Sequence, residues 1–234
     1  MALPNINQQT FELTVPSTDE KIKFRPFLVK EEKILLQAQE GADNSQLAGA
    51  LKTVINNCTF DKLDIENYPS FDLEYIFLNI RAKSVGEVVD LKVRCPDDNE
   101  TFTDVKVDLT KINVEVDDKH TNKIELTNKS GVIMAYPTMD IILSGNFNEP
   151  TPDDMLKVVA KCILQVYDGD TVYDRADTTD EERQEFLESL TQEQFRKLQD
   201  FFQTMPKLKH VINVTNPKTK KKGKVTLEGL RSFF

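Results

Sequence analysis

The sequence predicts an α+β protein in which β-hairpins and helices occupy separate stretches of the chain. The hydrophobic pattern has a period of two, typical of half-buried strands, near both ends and across residues 85–136. Most of the remaining chain has a helical period, and helix-capping residues precede several of these stretches. We therefore expect three consecutive regions: an N-terminal β-hairpin with helices over 1–84, an antiparallel β region over 85–136, and helices with a closing β-hairpin over 137–234.

The first region begins with a hairpin and continues with helices. Residues 11–15 and 21–25 alternate apolar and polar side chains around a turn rich in Pro, Ser and Asp. Pro26 ends the second strand, because proline has no backbone N–H to donate to a ladder. Helical spacing then predicts three helices: one over Val29–Glu40, one after Asp43 and one from the N-cap Ser70. Asp72 falls in the first turn of the third helix, where negative charge favours the helix dipole.

The central region is predicted to consist of short antiparallel strands. Alternating apolar residues place these strands near residues 89–93, 102–107, 112–116, 124–126 and 132–136. A turn-forming Pro-Asp-Asp-Asn sequence separates the first two. Pro137 ends the region.

The last region is predicted to be mainly helical. Thr-Pro-Asp-Asp at residues 151–154 is typical of a helix start and predicts a helix over 155–166. Asp168-Gly169 predicts a tight hairpin turn. Two capping boxes predict two further helices: Thr179 with Glu182, and Thr191 with Gln194. Alternation over 211–214 and 225–227 predicts the closing hairpin.

Charge and cysteine content argue against several functional classes. The net charge of −9 disfavours binding to nucleic acid or to anionic membranes, since both depend on an excess of Lys and Arg. The three cysteines, Cys58, Cys95 and Cys162, are odd in number and far apart, so we expect reduced thiols. No apolar run reaches the ~18 residues that span a bilayer. The N-terminus resembles no secretory signal, so we expect the protein to remain in the cytosol.

The sequence predicts neither a cofactor nor a catalytic site. Asp168, Asp170, Asp174 and Asp177 resemble part of a calcium loop, but Val172 stands at the third ligand position, which favours a solvated hairpin tip. The cysteines and the two histidines lack the spacing of a zinc site. Phosphate-binding glycine loops, nucleophile elbows and His-Glu-x-x-His patterns are missing. We expect a protein that binds other proteins; the alternative is a small intracellular enzyme with an unrecognised active site.

Two sequence features are candidate partner surfaces. Lys218 and residues 220–222 form a basic run that either meets an acidic partner or nucleic acid or is a solvated turn; the acidic net charge favours the turn. The final segment contains Leu230, Phe233 and Phe234, although chain ends are usually polar. These three side chains either fold back onto the core or form an aromatic anchor, and they are our candidate partner-binding residues.

Four long segments carry a resemblance to a known family. They are FRPFLVKEEKILL (24–36), FDLEYIFLNIRAKSVG (71–86), FFQTMPKL (201–208) and LEGLRSFF (227–234). They resemble the baseplate hub subunit and hub assembly protein family of T-even-type contractile-tailed bacteriophages, over nearly the whole chain. The resemblance implies a non-enzymatic protein that helps to build the central hub of the tail baseplate, with other hub and tail proteins as partners. It leaves open a subunit of the virion and an assembly factor of the host cytoplasm, and it does not define the oligomeric state.

Overall fold

The computed structural model describes residues 6–40, 44–144, 151–229 and 232. Its helices and antiparallel strands confirm the α+β class. The chain divides into two compact units. Unit 1 contains Met1–Ile65, Phe71–Glu115 and Lys207–Phe234, and unit 2 contains Glu66–Ser70 and Val116–Pro206. The division into three consecutive regions, 1–84, 85–136 and 137–234, concerns the order of element types along the sequence and stays a prediction.

Unit 1 begins with the predicted hairpin and helices. Strands β1 (Phe11–Thr14) and β2 (Lys21–Phe24) pair antiparallel, with Phe11 opposite Phe24. Three helices start where the sequence predicts: α1 (Val29–Glu40), α2 (Asn44–Cys58) and α3 (Ser70–Val85). The end of β2 before Pro26 is therefore confirmed, as is the helix that follows.

Helix α3 is buried on nearly all sides, as its apolar sequence predicts. Leu73, Ile76, Leu78 and Ile80 have no exposed surface. Asp72 is buried as well, and it accepts hydrogen bonds from the backbone N–H and the hydroxyl of Ser17 in the β1–β2 turn. Burial raises the pKa of this carboxyl despite the hydrogen bonds that lower it. Asp72 thus ties the helix start to the first hairpin, a contact that its place in the first turn did not reveal.

The other strands of unit 1 form two sheets. Strands β3 (Val88–Arg94) and β4 (Phe102–Asp108) are a hairpin by themselves. Strand β5 (Asn113–Glu115) pairs with the closing hairpin of β10 (Lys207–Thr215) and β11 (Lys222–Glu228), in the order β11-β10-β5. The strands expected to form one central region are thus distributed over different sheets, since β5 takes its partner from the far end of the chain.

The described part of unit 2 contains a four-stranded antiparallel sheet and four α-helices. The sheet order is β6-β7-β8-β9, from β6 (Lys123–Glu125), β7 (Ser130–Met134), β8 (Ile163–Asp168) and β9 (Thr171–Asp174). The helices are α4 (Met139–Ser144), α5 (Pro152–Cys162), α6 (Asp180–Glu188) and α7 (Gln192–Thr204). Complete capping boxes start the last three, at Thr151, Thr179 and Thr191.

One predicted helix is too long. The sequence predicted a helix to residue 166, but α5 ends at Cys162 and Ile163 begins strand β8. Residues 163–167 are rich in β-branched and aromatic side chains, and β8 has hydrogen-bonded partners on both sides, so the strand competes successfully with the helix. Arg175 fixes the change of direction, because its guanidinium donates to the carbonyls of Lys161 at 2.8 Å and of Ile163 at 2.9 Å.

The core of unit 2 lies between one face of the sheet and the helices. Its buried members are Ile124, Leu126, Val132, Met134, Val159, Ala160, Cys162, Ile163, Leu187, Leu198 and Phe201. Arg183 is buried at the start of α6 and donates hydrogen bonds to the carbonyls of Ala160 and Thr178.

None of the helices in the described ranges is both long and apolar enough to cross a membrane.

Candidate interaction surface

The three candidate partner-binding residues, Leu230, Phe233 and Phe234, lie outside the described residues. The structure does describe the base from which their segment continues. The N–H of Gly229 donates to the carbonyl of Leu208 at 3.0 Å, and the Ser232 hydroxyl donates to the carbonyl of Glu228 at 2.7 Å. The segment thus follows directly on the end of β11.

Strand β11 is one edge of its sheet. It pairs with β10 over seven residues, and no strand in the described ranges pairs with its other side. A free strand edge carries unpaired backbone donors and acceptors, which a partner strand is able to satisfy. The start of the final segment and this edge therefore form one candidate interaction surface.

A second free strand edge, in the described part of the other sheet, is that of β9 in unit 2. Val172 and Tyr173 in the middle of this strand are 53% and 51% exposed, and among the described strands only β8 pairs with it. Successive residues of a strand point to opposite faces, so one apolar side chain lies on each face of the edge. A four-residue strand is short, and that limits unwanted pairing.

Tyr167 covers the outer face of the same sheet. A Cβ atom on Gly131 would lie 2.2 Å from the Tyr167 hydroxyl oxygen and 2.5 Å from the carbonyl oxygen of Ile124. The hydroxyl end of the Tyr167 side chain therefore lies against β7 at Gly131, a position where any larger residue would clash. The Lys123 ammonium is 5.3 Å from the ring centre, a cation–π distance.

Two acidic residues of the β8–β9 hairpin, Asp168 and Asp174, accept separate local hydrogen bonds. Asp168 accepts from the Ser130 hydroxyl at 2.5 Å, and Asp174 accepts from the Gln165 amide at 2.5 Å. Asp177 belongs to a short 3-10 turn that follows β9. Within the described ranges, no group of three or more His, Cys, Asp or Glu side chains is arranged to hold a metal ion.

The three thiols are buried and poorly reactive. Burial raises the pKa of Cys58 to about 11 and that of Cys162 to about 12. It also raises the pKa of Cys95, with Asp97 and Asp98 adding to the effect. Thiols with such pKa values are protonated at neutral pH, so they are poor nucleophiles and poor metal ligands.

Glu31 is a buried charge with a structural role. It accepts hydrogen bonds from Arg25 at 3.1 Å and from the N–H of Leu28 at 2.8 Å. Burial alone would raise the pKa of this carboxyl, but the hydrogen bonds from Arg25 and Leu28 and the charge of Arg25 outweigh burial and lower it. The ion pair fastens the segment between β2 and α1 to the first turn of α1.

His120 occupies an aromatic cluster in unit 2. Its ring lies 5.5 Å from that of Tyr136 and 5.1 Å from that of Phe201. Nδ1 is 3.0 Å from the Thr204 hydroxyl and Nε2 is 3.0 Å from the Tyr136 hydroxyl. Burial lowers the pKa of the imidazole, although Asp117 opposes this effect, so the neutral ring is the favoured form.

Asn216 joins two turns that are distant in sequence. It is only 1% exposed, and its amide donates to Asp97 at 2.8 Å and to Asp98 at 2.9 Å. Thr219 adds a hydrogen bond to Asp97 at 2.6 Å. The sequence predicted both turns from their Pro, Asp and Asn content, but it carried no sign that the two turns bind each other.

Comparison with known proteins identifies the family. A family model described as T4 bacteriophage base plate protein matches residues 7–234, which is nearly the whole chain. The chain belongs to this family. No curated protein and no solved structure gives a significant match. The resemblance found in the four sequence segments is thereby confirmed at the level of a T4-type phage base plate protein.

The family sets how the surface of this base plate protein is interpreted. Its members are structural components of the bacteriophage base plate, and such components need faces that bind other proteins. Within the described ranges, the free edges of β9 and β11 are candidate faces of this kind. The buried carboxylates of Glu31 and Asp72 and the partly buried His120 ring instead each hold parts of one unit together.

Proposed function

We propose that this base plate protein is a non-enzymatic, protein-binding component of the central hub of the tail base plate. It acts as a hub subunit or as an assembly factor, and its partners are other hub and tail proteins. The observation that carries the proposal is the family match over residues 7–234. The four segments that resemble hub subunits and hub assembly proteins support the finer assignment to the hub.

The chemistry of the nucleophilic groups supports the non-enzymatic part of the proposal. The raised pKa values of Cys58 and Cys162 keep both thiols protonated at neutral pH. Ionised Glu31 is enclosed by donors from its own chain and is not open to a substrate. These groups hold the fold together.

Mass spectrometry of purified virions and of infected-cell lysate tests the hub assignment. A subunit is expected in both samples and an assembly factor only in the lysate. In either case, an affinity-tagged chain should co-purify with hub proteins from infected cells. A tagged, heat-unfolded sample of the same chain is the control for unspecific capture. Recovery of only peripheral base plate proteins would contradict the assignment to the hub.

We further propose that Leu230, Phe233 and Phe234 dock into a groove on a hub partner. The support is the apolar character of a segment that continues from a free strand edge. Burial of one Phe side chain contributes about 1.5–3 kcal/mol, so loss of two should weaken the complex roughly a hundredfold or more.

Deletion of residues 230–234 tests this docking. The expected result is an unchanged melting temperature together with loss of co-purification with hub proteins. A lowered melting temperature would instead show that the segment packs onto the protein's own core. If neither quantity changes, the segment has no role in binding.

A further inference from the structure

The turn between β10 and β11 and the start of β11 carry a dense group of positive charges. Five exposed lysines lie within seven residues: Lys218, Lys220, Lys221, Lys222 and Lys224. Among the described residues, none of the five ammonium groups takes part in an ion pair. By contrast, Lys207 and Lys209 at the other end of β10 pair with Glu228 at 2.9 Å and Glu115 at 3.3 Å. We call the five residues the lysine tip.

The backbone under the lysine tip is held in one conformation. Asn216 Oδ1 accepts from the N–H groups of Lys218 at 2.8 Å and Thr219 at 3.2 Å. The N–H of Lys220 donates to the Asn216 carbonyl at 2.9 Å, and Lys220 has a positive φ of 61°. A turn ordered in this way presents its charges at a small entropic cost on binding.

The carboxylates next to the turn are occupied by neutral donors. Asp97 accepts from Thr219 and Asn216, and Asp98 accepts from Thr101 and Asn216. These hydrogen bonds lower the pKa of both carboxyls, so both stay ionised and keep their role in holding the turn. They build the support for the lysine tip but form no ion pair with it, which leaves the ammonium groups available.

The positive charge of the lysine tip contrasts with the acidic remainder of the chain. Without the five lysines, the chain has 25 basic and 39 acidic residues. A compact positive site on an otherwise acidic protein orients an acidic protein partner through complementary potentials. Nucleic acid fits less well, because residues 216–224 contain no aromatic side chain for base stacking and the overall charge repels phosphates.

We propose that the lysine tip docks on a carboxylate-rich segment of a partner protein. This surface does not include the residues after Gly229. The proposal rests on the proposed function only in requiring a protein partner. The test below uses the purified chain and a synthetic probe without any tail protein. A negative result would therefore leave the hub assignment standing.

The test measures binding of a fluorescein-labelled deca-glutamate peptide to the full chain by fluorescence anisotropy. One variant replaces Lys218, Lys221, Lys222 and Lys224 by Gln and keeps Lys220 because of its positive φ. The matched control replaces Lys62, Lys119, Lys129 and Lys161, which are exposed and form no ion pair within the described ranges. Both variants lower the net charge by four, so only the position of the charge differs.

We expect the tip variant to bind the peptide at least about tenfold more weakly than the control variant, with a steep loss of binding as salt rises. Urea unfolding checks that the tip variant folds. If it does not, a double variant with Lys218→Gln and Lys221→Gln, both outside the strand, takes its place in the binding measurement. Equal weakening in both variants would overturn the proposal. So would tighter binding of a ten-nucleotide deoxythymidine strand than of the peptide. Sedimentation tests whether the chain binds a second copy of itself. Self-association of the unchanged protein that is lost in the tip variant would overturn the proposal and assign the lysine tip to that contact.

Discussion

The buried amide nitrogen of Asn216 donates a hydrogen bond to Oδ1 of Asp97 at 2.8 Å. The two residues are 119 positions apart in the chain. The same amide group accepts from two backbone N–H groups of its own turn, so one side chain orders the turn and fastens it to the β3–β4 hairpin. Asn216 therefore links the closing hairpin to the β3–β4 hairpin.

Asn216→Ala should lower the free energy of unfolding by roughly 1–3 kcal/mol, because it leaves buried donors and acceptors without partners. Urea unfolding followed by circular dichroism measures this loss. Asn213→Ala on the exposed side of the same strand is the control and should change stability by less than about 0.5 kcal/mol. Equal stability of the two variants would show that solvent replaces the Asn216 hydrogen bonds.

Glu31→Ala should be among the most destabilising substitutions in unit 1. It removes the acceptor of Arg25 and of the Leu28 N–H and leaves a largely buried guanidinium without its counter-charge. Loss of one partner of a buried pair costs about 3 kcal/mol or more. Glu32→Ala, which changes an exposed neighbour in the same helical turn, is the control for net charge and helix propensity. A small effect, similar to that of Glu32→Ala, would mean that the pair contributes nothing net.

Stability should fall as the pH drops below about 6.5, the ordinary pKa of histidine, partly because of His120. Burial lowers the folded-state pKa of His120 below the unfolded-state value. The unfolded chain therefore takes up the proton first, and stability is lost as the pH falls from the unfolded-state pKa to the folded-state pKa. Chemical unfolding at pH 7.5 and at pH 5 should show a smaller difference for His120→Gln than for the unchanged protein. An identical pH dependence of both proteins would contradict this role.

Two glycines should respond in opposite directions to replacement by alanine. Gly131→Ala places a Cβ against the Tyr167 ring and the Ile124 carbonyl, so it should destabilise unit 2 by roughly 1–3 kcal/mol. Gly49 lies inside α2 with nothing within 4 Å of the added Cβ, so Gly49→Ala should stabilise the protein by up to about 1 kcal/mol. Urea midpoints measure both changes. A stabilising Gly131→Ala would contradict the position of Tyr167, and a destabilising Gly49→Ala would contradict the open space beside Gly49.

Local signals in the sequence predicted most of the secondary structure. Capping residues such as Thr179 and Thr191 and the Asp168-Gly169 turn act within a few residues, so their effects are visible in the sequence. The helix start at Val29 and the strand alternation near Leu91 were predicted for the same reason. The prediction was wrong after Cys162, where a segment suited to either state became a strand because β7 and β9 supply its partners.

The sequence by itself determined the element types, the α+β class, and the resemblance to phage base plate proteins, because periodicity, capping and long motifs are properties of neighbouring residues. Only the tertiary structure decided that β5 pairs with β10, that Ser17 bonds to Asp72, and that Asn216 binds Asp97. The Ser17–Asp72 hydrogen bond joins residues 55 positions apart, and the Asn216–Asp97 hydrogen bond joins residues 119 positions apart. Such pairings follow from the burial of polar groups that must find a partner, and that partner is set by the packing of the whole unit.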